Sequence, residues 1–454
     1  MAGYRFSERF DFSIASQNGT SIVGFSNPVG LAHANEHNIT SATVGYEVIP
    51  SRPGALRVEV GYVTAQIQPE ANFDVGEVPD AEKSDGWGLR LIGSSPSGRL
   101  RGEVNFARAS YTNPEDPFIT EDLDVVPVKE TTNEARAATL SYDLIRHALE
   151  DERELTITAT LTHERTDPLY KTLTAFPNSD TLRNGVSLSF QLGETTLAIQ
   201  HAEQEDNLDN IPSILKTRTR STMATASWPL SSLSREADSP SPYWPVLSLN
   251  AARVHQYAGN KPATEISDFN DGSHLPDQMN TEGSIGLEWS VARWDFGYTV
   301  NASKQDNRQK GREDADFSNL GHEIAATLRA TDTLEVGISL GRVRSIDEAE
   351  SVSNFTNNVG MNLNWIIAEK WTLSGNVSRT LDDDSEDLAR NENTSNDVQL
   401  ARTFSIPFPG GRKRDGQFFI RYNQQENDSR DNLFEINSFS KNWAVTSGLS
   451  FSLF

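Results

Sequence analysis

The sequence predicts an all-β fold, a transmembrane antiparallel up-and-down β-barrel of about twenty strands, with eighteen as the alternative. Three observations predict it. Segments of about ten to thirteen residues alternate apolar and small polar residues, their connections alternate between short and long, and Trp residues collect near the short ones. A strand that crosses a hydrocarbon layer at a tilt needs about 9–11 residues and two faces of opposite polarity.

In chain order the strands are predicted at 4–15, 36–48, 56–66, 85–95, 99–111, 131–144, 152–164, 180–192, 194–204 and 217–229. They continue at 245–257, 281–292, 294–304, 318–330, 333–345, 355–368, 370–381, 394–406, 416–427 and 438–453. The period-two pattern is plain in several. Leu155, Ile157, Ala159 and Leu161 alternate with Thr156, Thr158, Thr160 and Thr162. Leu334, Val336, Ile338 and Leu340 alternate with Glu335, Gly337, Ser339 and Gly341. Trp294, Phe296, Tyr298 and Val300 alternate with Asp295, Gly297, Thr299 and Asn301, and Trp371, Leu373, Gly375 and Val377 with Thr372, Ser374, Asn376 and Ser378.

The connections after even-numbered strands are mostly short, as at Gly193-Glu194, Arg293, Thr331-Asp332 and Glu369. The intervening ones are longer, as at 67–84, 112–130, 258–280 and 305–317. Short periplasmic turns and long extracellular loops are the expected arrangement, and an even strand count puts both termini on the turn side. Trp228, Trp244, Trp289, Trp294, Trp365, Trp371 and Trp443, with Tyr243 and Phe408, fall at or near short-turn ends. Amphipathic rings concentrate at a membrane boundary, so these residues form the predicted periplasmic girdle.

Composition sets outer bounds. Of 454 residues 36% are hydrophobic, and no run approaches the eighteen apolar residues of a helical span. A net charge of −24 argues against nucleic acid as a partner. The absence of Cys fits an oxidising compartment. No basic segment followed by an apolar run opens the chain. The expectation is a single barrel domain over 1–454 whose native signal peptide or N-terminal region has been replaced by the starting Met.

Period-two strands, alternating connections, the girdle and a last strand running from Trp443 to Phe454 resemble Gram-negative outer-membrane β-barrel channels of the porin and export-channel type. The subfamily is not assigned. Leu449, Phe451 and Leu453 stand one residue out of phase with Phe454, a departure from that family's closing pattern. The resemblance implies an outer-membrane location with both termini periplasmic. It also implies lipid and lipopolysaccharide as surroundings, and recognition of the strand ending in Phe454 by the outer-membrane barrel assembly machinery.

Such a protein works through its lumen and loops. The inward phase is rich in Thr, Ser, Asn, Gln and Gly, with charges at Arg57, Glu59, Arg101, Glu103, Glu323, Arg329 and Arg421. A hydrated wall of that kind suits passage of polar solutes and lacks the one-sign rings of strong ion selection. The alternatives are the C-terminal barrel of a larger exporter, for example of exopolysaccharide, with periplasmic export partners, and a surface-anchoring barrel whose loops bind partners. Loops 16–35, 112–130 and 258–280 are long enough to fold inward.

On the outward phase several strands finish, toward the long loops, in a base: Arg108, Arg253, Lys304, Arg342, Arg344 and Arg379. Another strand begins there with Arg218 and Arg220. A lipid-facing Arg costs about 2–4 kcal/mol at the midplane and little at the interface, so these residues form a candidate belt for lipopolysaccharide phosphates. Acidic residues gather in the loops, at Glu70, Asp74, Glu77, Asp80, Glu82 and Asp85. The run Asp382, Asp383, Asp384, Glu386 and Asp387 is a candidate for a loop-bound divalent cation, although it lacks the regular ligand spacing of a calcium loop. No other cofactor is expected. Eight His are scattered, at His33, His37, His147, His163, His201, His255, His274 and His322, without a phosphate loop, zinc spacing or nucleophile elbow, so an enzyme is not expected.

Overall fold

The computed structural model describes residues 2–5, 7, 9–19, 37–50, 54–67, 83–112, 130–149, 153–172, 178–233, 243–262, 275–407 and 413–451. It is all-β, with twenty-one strands. They are β1 (Ala2–Arg5), β2 (Phe10–Gly19), β3 (His37–Ile49), β4 (Ala55–Ile67), β5 (Lys83–Ser94), β6 (Leu100–Thr112) and β7 (Thr131–Ala148). Next come β8 (Glu154–Thr166), β9 (Thr181–Leu192), β10 (Thr195–Glu205), β11 (Thr217–Pro229), β12 (Val246–Ala258), β13 (Asp277–Val291) and β14 (Trp294–Asn307). The last are β15 (Phe317–Thr331), β16 (Leu334–Asp347), β17 (Val352–Ala368), β18 (Trp371–Asp384), β19 (Ala389–Pro407), β20 (Lys413–Asp431) and β21 (Ile436–Phe451). A 3-10 turn, Leu230–Leu233, is the one helical element among the described residues.

The chain divides into two compact units. The first takes residues up to Gly193 together with Ala198–Thr222 and His255–Asp277, and the second takes the remainder. In the first unit each strand from β1 to β9 pairs antiparallel with its successor. In the second, β13 to β21 do the same. Side chains alternate between two faces along each strand. In both units one face is an open apolar surface. Val60, Val104, Leu140 and Leu161 are 46–54% exposed in the first unit, and Ile285, Ile324, Ile338 and Val359 are 50–53% exposed in the second. The opposite face carries the small and polar residues.

The alternation shifts where the ladder slips. Bulges fall between Glu47 and Ile49, Asp143 and Ile145, Arg329 and Thr331, and Ile366 and Ala368. Each lies in the last residues before a short turn. The extra residue turns two successive side chains outward, so Leu144 and Ile145, and likewise Ile366 and Ile367, all stand exposed. Gly193 takes φ +57 in the two-residue turn after β9, a left-handed conformation that a side chain would strain.

Three expectations are corrected. The first strand is not one run over 4–15. The chain reverses after Arg5, and β1 lies back along β2 with Arg5 opposite Asp11. Ser7 makes the reversal, its hydroxyl accepting the N–H groups of Arg9 and Phe10 at 3.2 and 3.1 Å. This short arm is why there are twenty-one strands. Second, the loop-side connections late in the chain shrink to 348–351, 385–388 and 432–435, because the strands continue through sequence that reads as loop. β19 and β20 are 19 residues each and pair along their whole length. The turn-side connection 230–245, long already in the predicted strand bounds, is closed by the Leu230 N–H bonding to the Pro245 carbonyl at 3.0 Å. Third, Trp443 is not at a turn end. It sits mid-strand opposite Gln424, because β21 starts beside its hairpin at Ile436. Phe408 and Phe454 lie outside the described residues, as do most of loops 16–35, 112–130 and 258–280.

Candidate functional site

On the polar face of the first unit, charged side chains from β2 to β7 form two bonded groups. Arg57 on β4 holds Asp11 at 2.8 Å, Glu59 at 2.6 Å and Glu47 at 3.7 Å. Glu59 also accepts from Arg90 on β5 at 3.3 Å, and Arg90 reaches Glu103 on β6 at 2.8 Å. Arg101 on β6 bonds Asp143 on β7 at 2.7 Å, and Thr158 on β8 donates to the same oxygen at 2.9 Å. The Asp143 side chain is only 3% exposed, so its charge depends on these two partners. Gly45 makes the first link possible: a Cβ there would collide with the Arg57 guanidinium on its way to Asp11. Turn-ward, Glu47, Arg57, Arg101 and Thr139 edge a cavity of about 560 Å³.

At the loop-side end of the same face, the connection following β8 folds onto the strands. Tyr170 and Thr172 are 7% exposed, and on the strands Ile39 (3%), Val63 (8%), Ala65 (1%) and Tyr111 (3%) form a buried cluster. The Lys171 ammonium bonds the Tyr111 hydroxyl at 2.6 Å and lies 4.1 Å from its ring centroid. The Ser84 hydroxyl donates to Thr172 at 3.2 Å, and the Asn133 amide donates to the Leu169 carbonyl at 3.2 Å. Burial pushes the Tyr170 phenol up to about 12, so it stays neutral and packs as an aromatic. The segment 167–172 is therefore anchored at four residues, Leu169, Tyr170, Lys171 and Thr172, on a wall that is otherwise hydrophilic.

In the second unit the polar face is a quieter surface of Ser, Thr, Asn and Gly. Ser345 donates to Asn319, Thr356 to Asp382 and Thr380 to Asn358, at 2.6, 2.6 and 2.8 Å. Two ion pairs cross it, Arg329–Asp295 at 2.5 Å and Arg421–Asp397 at 2.6 Å. Glu282, Glu288, Glu323 and Glu335 share this phase of β13, β15 and β16. Among the described residues none of them has a basic side chain in ion-pair contact.

The seven charges expected in the lumen thus fall on polar faces. Arg57, Glu59, Arg101 and Glu103 belong to the first unit's two groups, Arg329 and Arg421 to the second unit's pairs, and Glu323 stands apart. The basic belt on the apolar face divides. Arg218 and Arg220 are neutralised by Glu205 and Glu203 at 3.2 and 2.8 Å, Lys304 by Asp316 at 3.2 Å and Arg379 by Glu392 at 2.8 Å. The Asn307 N–H and then Lys304 hold the Asp316 carboxyl below the usual carboxylate range. Arg253 turns to the Met279 sulfur. Arg108 lies across from Glu134, outside ion-pair contact. Arg342 and Arg344 flank the Phe355 ring.

Of the residues expected in the girdle, two pairs flank turns: Trp289 and Trp294 at the β13–β14 turn with Phe296 packed against both, and Trp365 and Trp371 at the β17–β18 turn. Trp228 donates to Ser232 at 2.9 Å, and Trp244 lies two residues before β12. Asp382 and Asp383 lie within β18, and Asp384 caps a turn by accepting the N–H groups of Glu386, Leu388 and Ala389, leaving Glu386 and Asp387 on its rim. Among the described residues no three His, Cys, Asp or Glu side chains are grouped closely enough to hold a metal ion. His163, His201 and His322 bond Asn184, Thr222 and Tyr298, and His255 bonds Asp277 at 2.8 Å.

The anchored segment 167–172 is the feature that sequence reasoning missed. Its signal is present: Ile39, Val63, Ala65 and Tyr111 are apolar residues in the polar phase, all toward the loop ends of their strands.

No family model matches the chain, and no curated protein matches it. Among solved structures it is similar to OmpT, an outer membrane protein of Vibrio cholerae, at 10% identity and a TM-score of 0.28, over 70% of this chain and 98% of that one. It is similar to the ferric-catecholate import receptor Fiu of E. coli K12 at 8% identity and a TM-score of 0.32, over 99% and 78%. It is also similar to the siderophore receptor PirA of Acinetobacter baumannii at 9% identity and a TM-score of 0.29, over 98% and 80%. The structures matched are outer-membrane β-barrel proteins, and none of them assigns a subfamily.

Proposed function

We propose that the chain is an outer-membrane channel of a Gram-negative bacterium that passes polar solutes along its polar face. The observation that carries this reading is the two-faced strand. An exposed surface of Leu, Ile and Val is stable against lipid, whereas the hydrogen-bonded Ser, Thr, Asn and charged pairs opposite need water. Among the described residues the wall carries many shallow hydrogen-bonding groups, which suits passage better than capture. Carboxylates outnumber bases on it, with Glu282, Glu288, Glu323 and Glu335 in the second unit and five acids to three arginines in the first unit's two groups. Cations are therefore the favoured charged solutes.

Planar-bilayer recording of the refolded chain tests this. Steady conductance is expected, with a reversal potential displaced toward the cation equilibrium in a salt gradient, and less displaced at high ionic strength as the wall charge is screened. Absence of conductance in properly folded protein contradicts the channel.

A further inference from the structure

Four bases on the apolar face, Arg218, Arg220, Lys304 and Arg379, are each matched by an acid. Arg342 and Arg344 on β16, like Arg108 and Arg253, have no carboxylate in ion-pair contact among the described residues, but they stand together on one strand and share one aromatic ring. Their guanidinium carbons lie 5.2 and 5.8 Å from the centroid of the Phe355 ring on β17, and Arg344 also donates to Ser353 at 3.3 Å. His322 on β15 is directly across from Arg342 in the ladder. Its Nδ1 bonds the Tyr298 hydroxyl at 3.0 Å, and the two rings stack. Asp383, across from Phe355 on β18, is beyond ion-pair reach of both arginines. One position turn-ward on the same face the surface becomes wholly apolar, with Ile324, Ile338, Leu340, Val359 and Met361 all 47–53% exposed.

We propose that Arg342 and Arg344, with His322 beside them, bind the phosphate of an anionic lipid, the phosphorylated saccharolipid of an outer leaflet. This rests on the membrane reading above. Two guanidiniums two residues apart on one strand face present convergent donors suited to phosphate oxygens, and stacking on one ring fixes both before a ligand arrives. The apolar surface that begins below them selects a lipid over a free anion, because acyl chains can lie on Ile338 and Leu340 while the headgroup meets the arginines. The site also refines the expected belt: Arg218, Arg220, Lys304 and Arg379 already have acids and offer a phosphate little net attraction.

The test titrates the refolded chain in detergent micelles with bisphosphorylated lipid A, with lipid A stripped of both phosphates, and with inorganic phosphate. Native mass spectrometry counts the bound lipid. Arg342→Gln with Arg344→Gln is expected to weaken binding of the phosphorylated lipid at least about tenfold, whereas Arg218→Gln with Arg220→Gln changes it less than about twofold. Arg342→Lys with Arg344→Lys keeps the charge and loses the fork, so an intermediate loss is expected even if the glutamine variant folds poorly. Equal losses for the two glutamine variants, or none for either, would overturn the site. So would competition by inorganic phosphate at equal concentration, or equal binding of the dephosphorylated lipid. Conductance of the same variants separates the two claims: a chain that conducts without binding lipid removes only the lipid site, and one that binds without conducting removes only the channel.

Discussion

Ile338→Arg is expected to destabilise the chain in lipid by about 2–4 kcal/mol, and Ser339→Arg, its neighbour, by less than about 1 kcal/mol. Ile338 stands 51% exposed on the apolar face between Ala326 and Met361. Trp365 lies across from Leu334 at the turn end of β16, and Arg342 marks the loop-side edge of the apolar band. Ile338 is therefore near its middle, where a guanidinium finds neither water nor phosphate. Ser339 lies across from Gly360 on the polar face, and an Arg there extends over a residue without a side chain into water. Urea unfolding of both variants in liposomes measures the difference. Equal costs would mean that both faces meet the same medium, which the membrane reading forbids.

Arg101→Ala is expected to cost about 3 kcal/mol, at the low end for stranding a buried charge because Arg101 itself is half exposed. Asp143 retains only the Thr158 hydroxyl after that change, in a position shielded from solvent. Asp143→Asn with Arg101→Ala restores most of the loss, since the amide carries no charge to leave unpaired. Arg329→Ala is the contrast. Its partner Asp295 is 37% exposed and bonds Ser290 as well, so a much smaller loss than for Arg101→Ala is expected. Denaturant midpoints of the three variants separate the buried pair from the exposed one.

The strands were legible because lipid and water on opposite faces enforce a strict period of two, which the central residues of β8, β14, β16 and β18 display without exception. Legibility failed where that constraint ends. Beyond the apolar band a strand needs only backbone partners, so the polar extensions of β19 and β20 carry no alternation and read as loop. The reversal at Ser7 was hidden because Tyr4 and Phe12 keep the apolar phase on both arms of it. Charges at the polar face were placed by phase alone, but their partners were not. That Arg57 gathers three acids while Glu323 meets no base among the described residues depends on register between strands far apart in sequence. The same is true of the basic belt, whose phase was readable and whose pairing acids were not. The segment 167–172 was obscured because a loop packing on a wall leaves its mark on the wall, in Ile39 and Tyr111, rather than on itself.

The protein has no Cys, so single thiols can be introduced without background. Cys at Ile338, Ser339, Leu340 and Gly341, probed in planar bilayers with a membrane-impermeant charged thiol reagent, tests the central claim most directly. Ser339→Cys and Gly341→Cys are expected to react and to step the single-channel current down, while Ile338→Cys and Leu340→Cys stay silent. Equal reaction at all four positions, or reaction at Ile338 and Leu340 alone, would contradict a water-filled path along the polar face.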